Sequence, residues 1–199
     1  MPTPLLWFLL ALFCGSLPIS VWLPRLFARQ DTRAFGDGNP GATNAFRAGG
    51  TLVGLAALLL DVSKAAAPVG WAYFNMGYRG WPMILIATAP VLGHAFSPFL
   101  RFQGGKALAV AFGTWIGLTL WKLSLPALFL VLIWRRIIDV DGWAVMLALA
   151  TLLVIILLWL PEPLFIAVWA GQVLILGWKH RDDLRQKPHL RPWLARGNR

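Results

Sequence analysis

The chain has 199 residues, of which 58% are hydrophobic and only 13% charged, against about 25% charged in ordinary soluble domains. Its mean hydropathy of +0.67 implies more apolar surface than a 22.0 kDa globule can bury. A soluble enzyme, a disordered tail and a disulfide scaffold are thereby excluded, and lipid is left as the solvent. The formal charge of +10 comes from 18 Lys and Arg against 8 Asp and Glu. In a membrane chain this excess reads as cytoplasmic loops and not as a nucleic-acid surface, because the 12 Trp lie mostly in or beside apolar runs and do not interleave with a basic groove. Cys14 is the sole cysteine, so neither a disulfide framework nor a zinc cluster is available.

The chain opens on Met1-Pro2-Thr3-Pro4, without a basic n-region, and Phe13 before Cys14 is a poor match to a lipoprotein cleavage site. The first apolar run is therefore expected to be a retained helix. Hydropathy places spans at about 4–24, 51–76, 81–97, 107–121, 123–134, 143–160 and 162–178, about seven in all. Two of these are short for a hydrocarbon core of ~30 Å, and 107–121 with 123–134 also reads as one broken pair packed inside the bundle. With the N-terminus outside, fifteen of the eighteen basic residues fall on inner loops or on the basic tail 179–199. Only Arg79 and Lys122 fall outside, and Lys64 sits within a span. The expected molecule is thus a single all-α polytopic membrane bundle over 1–199, with a cytoplasmic C-terminus.

Three polar islands interrupt the apolar pattern, all on the predicted cytoplasmic side. The first runs from Gly36 through Asp37, Gly38, Asn39, Pro40, Gly41, Ala42, Thr43, Asn44 and Ala45 to Arg47. A glycine-rich loop feeding a helix start aims several N–H groups at one place, which suits an anion. A helix from about Gly41 would put Thr43, Asn44 and Arg47 on one face; an ordinary turn between two helices is the plainer reading. The second island, Gly93-His94 through Phe102-Gln103-Gly104-Gly105-Lys106, resembles a phosphate seat with lysine as a point charge. It is not a Walker A loop, because Ala107 follows the lysine. Its basic residues also suit plain positive-inside anchors.

The third island, Lys179-His180-Arg181-Asp182-Asp183, puts His180 and Asp183 on one helix face, where the pair could orient or deprotonate a hydroxyl. A salt-bridged cytoplasmic tail is its alternative. Within the second span, Asp61 and Lys64 are three apart and can neutralise each other, at an insertion cost of about 2.5–3.5 kcal/mol for each lone charge. No carboxylate-rich metal cluster, Gly-x-Ser-x-Gly elbow or cofactor motif is present in the sequence.

Taken together and in order, these motifs resemble those of the bacterial integral-membrane acyl-phosphate:glycerol-3-phosphate acyltransferases. The family's Gly-Ser-Gly-Asn-x-Gly-Ala-Thr-Asn followed by Arg is matched by Gly36 to Arg47, and its Asp-x-x-Lys-Gly by Asp61 to Ala65. Its Gly-His and Phe-x-Gly-Gly-Lys-Gly are similar to Gly93-His94 and Phe102 to Lys106, and its His-Arg-Glu-Asn to His180 through Asp183. Gly15-Ser16-Leu17-Pro18 also looks familial, so the resemblance covers nearly the whole chain. Asp37 stands where the family has serine, Asp183 where it has asparagine, and Ala65 and Ala107 where it has glycine.

The resemblance implies transfer of a fatty acyl group from acyl phosphate to glycerol-3-phosphate, the first step of phospholipid synthesis, at the cytoplasmic face of the bacterial inner membrane. It implies no acyl-CoA, metal or other cofactor, and its partners are the two substrates and the bilayer, with no nucleic acid. The catalytic set it implies is Arg47, Lys106, His180, Asp183 and Asp37. Phosphate would be held by Gly38, Asn39, Gly41, Thr43, Asn44, Gly104 and Gly105, and Asp61 with Lys64 forms an intramembrane pair. A carboxylate 4 Å from a phosphate is worth roughly 4 kcal/mol of repulsion per unit charge at an effective dielectric of 20. Asp37 is therefore expected to pair with Arg47, Lys106 or another cation, or to bind a proton. Two other readings stand beside this one: a divergent paralogue with another acceptor or no catalysis, and an anionic-metabolite transporter.

Overall fold

The computed structural model describes residues 3–195; Met1, Pro2 and the end of the basic tail with Arg196 and Arg199 lie outside the described residues. The fold is all-α, an integral-membrane helical bundle. Helix α1 (Pro4–Ser16) starts on a Thr3 cap and stops before Pro18, and α2 (Ile19–Ala28) resumes beyond it. The expected first span is thus two helices, because Pro18 has no N–H to continue the ladder. Helix α3 (Ala42–Gly70) is interrupted at Gly50, whose φ of 73° only glycine adopts without strain. The break separates a short segment carrying Thr43, Asn44 and Arg47 from a membrane segment that begins where hydropathy placed it, at 51.

Helix α4 (Gly80–Ala95) is followed by α5 (Leu108–Thr119) and α6 (Trp121–Ile137), then by α7 (Asp141–Trp159), α8 (Pro163–Lys179) and a single turn, α9 (Arg181–Leu184). Helices α5 and α6 meet at Leu120 (φ 54°, ψ −115°) and pack on each other. With 12 residues, α5 rises only about 18 Å. Among the described residues four segments are long and apolar enough to cross a membrane: Pro4–Ala28, Ala42–Asn75, Gly80–Leu100 and Asp141–Trp159. Leu108–Thr119 and Pro163–Lys179 are shorter apolar helices.

Small residues set the packing. Gly15 lies against Pro90, and Gly93 against the Leu12 carbonyl, where α1 meets α4. Gly113 and Gly117 of α5 lie on the backbone of Val62 and Ala66 in α3. Lipid tails are as apolar as leucine, so close backbone approach takes over the role that burial plays in water. The outward face is correspondingly apolar, as at Leu52, Leu158 and Leu174.

One polar node fixes the relative positions of α1, α3 and α4. The α1–α2 break leaves the Leu17 carbonyl without a helical partner, and Lys64 Nζ donates to it at 2.7 Å. The same ammonium lies 2.7 Å from Asp61 Oδ1 and 2.9 Å from His94 Nδ1. An ammonium only donates, so His94 Nδ1 accepts and its ring proton sits on Nε2. The side chains of Asp61 and Lys64 are 1% and 4% exposed, which makes this a buried pair of the kind the i, i+3 spacing suggested.

Candidate active site

The first island folds as a loop closed by its own side chains. Asp37 Oδ1 accepts from the Asn39 N–H at 3.2 Å, an Asx-type turn, and from Asn44 Nδ2 at 2.8 Å. Asn44 also donates to the Asn39 carbonyl at 3.1 Å and accepts from Arg47 Nη1 at 3.2 Å. At 2% exposure Asn44 commits its amide to holding this loop together. At Gly36 (φ 57°) a Cβ would collide with the Arg47 guanidinium and the Asn44 amide, so the loop passes directly over both.

The other two islands converge on that loop. The Lys106 N–H donates to Asn39 Oδ1 at 3.0 Å, and Lys106 Nζ reaches Asp37 Oδ2 at 3.1 Å and Asp183 Oδ2 at 3.0 Å. Asp183 Oδ2 also accepts from His180 Nδ1 at 3.0 Å. An ionised carboxylate only accepts, so this bond places the ring proton on Nδ1 and leaves Nε2 with a bare lone pair. His180 is 1% exposed, and Nε2 is buried without a hydrogen-bond partner.

Burial raises the Asp37 carboxyl pKa, but Lys106, the Asn39 N–H and Asn44 outweigh it and the net displacement is downward. Asp183 behaves alike, burial being outweighed by His180 and Lys106. Burial lowers the Lys106 pKa, yet its bonds to Asp183 and Asp37 carry it above the ordinary value. Burial takes His180 below the ordinary imidazole value, with Asp183 opposing and Lys106 assisting. At neutral pH these four groups are therefore two carboxylates, one ammonium and a neutral imidazole.

These groups form the polar end of a cavity of about 860 Å³. Its body is apolar, walled by α3, α5, α6 and α7 through residues such as Val62, Phe112, Leu128 and Leu149. Deep in it, Trp115 Nε1 donates to Gln172 Oε1 at 2.9 Å, which satisfies both polar groups away from water.

Of the residues singled out in the sequence, Asp37, Asn39, Gly41, Thr43, Asn44, Arg47, Asp61, Lys106, His180 and Asp183 line this cavity. Gly38, Gly104, Gly105 and Lys64 do not. Gly104 and Gly105 lie against the His94 carbonyl and ring, where a Cβ would collide, so their smallness seats the loop on the end of α4. Ala107, at φ 61°, holds a left-handed conformation that costs roughly 1–2 kcal/mol for any residue but glycine.

Three contributors had no signal in the spacing. Lys179 Nζ donates to the Ala95 and Gly104 carbonyls at 3.1 and 2.7 Å and so pins the loop before Lys106. Gly142 lets the start of α7 approach Asp183 and His180, whose Cβ atoms a side chain there would meet at 2.6 and 3.3 Å. Arg135 reaches the cavity from the end of α6. Among the described residues no group of three or more His, Cys, Asp or Glu side chains is placed to hold a metal ion.

An apolar slot inside a helical bundle, closed at one end by a cation–carboxylate–imidazole cluster, defines a membrane enzyme that handles an amphiphile with an anionic head. The sequence model of a family described as glycerol-3-phosphate acyltransferase matches residues 5–187, and the chain belongs to that family. A glycerol-3-phosphate acyltransferase of Desulfovibrio desulfuricans is 38% identical over 182 residues, covering 90% of this chain and 79% of the relative. One from Pseudoalteromonas translucida is 36% identical over 180 residues, covering 90% and 86%. The fold is that of a crystal structure of PlsY (YgiH), an integral membrane glycerol 3-phosphate acyltransferase in its glycerol 3-phosphate form. The TM-score is 0.83 at 24% identity, over 98% of both chains. A lysophosphatidic acid form of PlsY superposes with a TM-score of 0.81 at 22% identity, over 92% and 91%.

Proposed function

We propose that this chain acylates glycerol-3-phosphate from a fatty acyl phosphate, releasing lysophosphatidate and inorganic phosphate, on the cytoplasmic side of a bacterial inner membrane. One observation carries the reading: Arg47, Lys106, His180 and Asp183, from three separated stretches of sequence, meet at the polar end of an apolar cavity. The single domain, the orientation from the positive-inside count and the site-residue roles belong to the same proposal.

The acyl chain occupies the apolar slot, which sets its carbonyl beside Lys106. The acceptor hydroxyl lies at His180 Nε2, the unpartnered ring nitrogen of a residue that lines the cavity. As the hydroxyl oxygen attacks the carbonyl carbon, its proton passes to Nε2, while Asp183 holds Nδ1–H and steadies the imidazolium that forms. The C–O bond to phosphate then breaks, and the proton is returned to the leaving phosphate. Arg47 and Lys106 offset the charge on the two phosphates, and Asn39 and Asn44 hold the loop that positions them. Because burial keeps His180 below the ordinary imidazole value, its neutral form is the resting form through neutral pH. The rate therefore falls on the acid side of neutrality, as His180 binds a proton.

The test is acyl transfer by the purified protein in lipid, with palmitoyl phosphate and labelled glycerol-3-phosphate and with palmitoyl-CoA as a parallel donor. Lysophosphatidate from the acyl phosphate alone is the expected result, and no product from folded protein overturns the reading.

Asp37 bears on the acceptor. Its side chain is 53% exposed and paired with Lys106, so solvent already screens it from a bound phosphate. Asp37→Ser is accordingly expected to lower the glycerol-3-phosphate KM by only about two- to five-fold, the range of a surface ion pair. A gain of several powers of ten in Asp37→Ser/Asp183→Asn would instead mark a chain adapted to a less anionic acceptor.

A further inference from the structure

The cavity is lined by three permanently charged cations among the described residues, Arg47, Lys106 and Arg135. Lys106 is committed to two carboxylates. Arg47 donates to Asn44 Oδ1 and makes no ion pair among the described residues. Arg135 makes one carboxylate contact, from Nη2 to Asp141 Oδ2 at 3.3 Å, and its Nε is buried with no hydrogen-bond partner. The nearby Asp139 is taken by Arg191 at 3.0 Å and by His189 at 3.3 Å, so it does not compensate Arg135.

The position of Arg135 is held from behind. Arg191 Nε donates to the Arg135 carbonyl at 2.8 Å, and the Arg191 N–H donates to the Ile137 carbonyl at 2.9 Å. The Asp139 N–H donates to the His189 carbonyl at 3.0 Å, so residues 189–191 lie as a strap along the α6–α7 turn. The side chain is 34% exposed, yet its Nε–H is buried with no acceptor on a helix end held by these bonds, which leaves that donor free for an oxyanion. Guanidinium suits it because its N–H groups form a planar fork that matches phosphate.

We propose that Arg135 binds the phosphate of the acyl donor, on the α6 side of the cavity and away from the α3 segment that carries Arg47. The inference rests on the proposed reaction, which brings two phosphates into one cavity. Lys106 shares its charge with Asp37 and Asp183, so Arg47 would otherwise carry most of the charge of both phosphates. A guanidinium on each side separates the two anions and leaves Arg47 to the acceptor.

The experiment measures KM for each substrate, in lipid, for wild type and for Arg135→Gln, Arg135→Lys and Asp141→Asn. Arg135→Gln is expected to raise the palmitoyl phosphate KM about 10- to 100-fold, the worth of one charge-assisted hydrogen bond, and to leave the glycerol-3-phosphate KM within a few-fold. Arg135→Lys recovers part of that loss. Asp141→Asn removes the ion pair but keeps the cation, so its donor KM stays at or below the wild-type value. An unchanged donor KM in Arg135→Gln overturns the proposal. So does an Asp141→Asn variant that matches Arg135→Gln, since Arg135 would then serve only the α6–α7 turn. Wild-type protein that transfers no acyl group from acyl phosphate refutes the proposed reaction, and this assignment with it. An active wild type with an indifferent Arg135 refutes this assignment alone.

Discussion

Lys106→Ala is expected to lower acyl transfer by about a thousandfold while the protein remains folded. The ammonium lies 3.0 and 3.1 Å from Asp183 and Asp37, so its removal does more than delete a phosphate contact. It leaves two carboxylates facing the place where phosphate must bind. One preorganised donor is worth about 10²–10³ in rate, and an uncompensated unit charge 4 Å from a phosphate adds roughly 4 kcal/mol at an effective dielectric of 20. Solvent at Asp37 reduces the second effect, which keeps the estimate near the first. Turnover in lipid, with thermal unfolding in detergent as the check on folding, measures it. Because the three groups act as one unit, Lys106→Ala/Asp37→Ser should lose less than the single variant. Wild-type turnover in Lys106→Ala would remove the charge argument altogether.

Lys64→Ala has the largest expected effect on stability, about 3–5 kcal/mol, the usual consequence of stranding one member of a buried ion pair. Asp61 is left at 1% exposure without its cation, the Leu17 carbonyl keeps only the Ile19 N–H of its two donors, and His94 Nδ1 loses its partner. A folded protein has only about 5–15 kcal/mol to spare, so the single variant should unfold far below wild type in detergent or fail to accumulate. The double variant Asp61→Leu/Lys64→Met removes both charges and should recover most of the loss. If the single variant melts with wild type, the node is ornamental and the α1–α3–α4 arrangement is held by small-residue packing alone.

Helix existence was readable along the chain because apolar runs report burial or lipid exposure directly. The break at Gly50 agrees with a span starting at 51, since a glycine after a polar island is where hydropathy turns upward. The division of the first span at Pro18 was not anticipated. Hydropathy sums side chains and is blind to a missing backbone N–H.

The site shows the same division. The islands, their order and their residue types were legible as motifs, as was the neutralising i, i+3 pair Asp61–Lys64. The expectation that Asp37 pairs with a cation is met by Lys106. Which of the glycines face the cavity was not legible. Gly104 and Gly105 read as a phosphate seat, and the structure adds that they lie against the His94 carbonyl and ring. A glycine chosen for backbone approach and one chosen for ligand approach look identical in one dimension.

The solvent, the helical class, the polar islands and the family they resemble are all legible in one dimension, because each is carried by composition or by residues close together in the chain. Helix packing is what brings Asp37, Lys106 and Asp183 into one charge cluster, with Lys106 and Asp183 77 residues apart in the chain. It alone decided that His180 presents a bare Nε2, and that Arg135 stands at the cavity with an unpaired donor. Electrostatics falls off over a few ångströms of space whatever the distance along the chain, so charge pairing and orphaned polar atoms come into view only once the helices are packed.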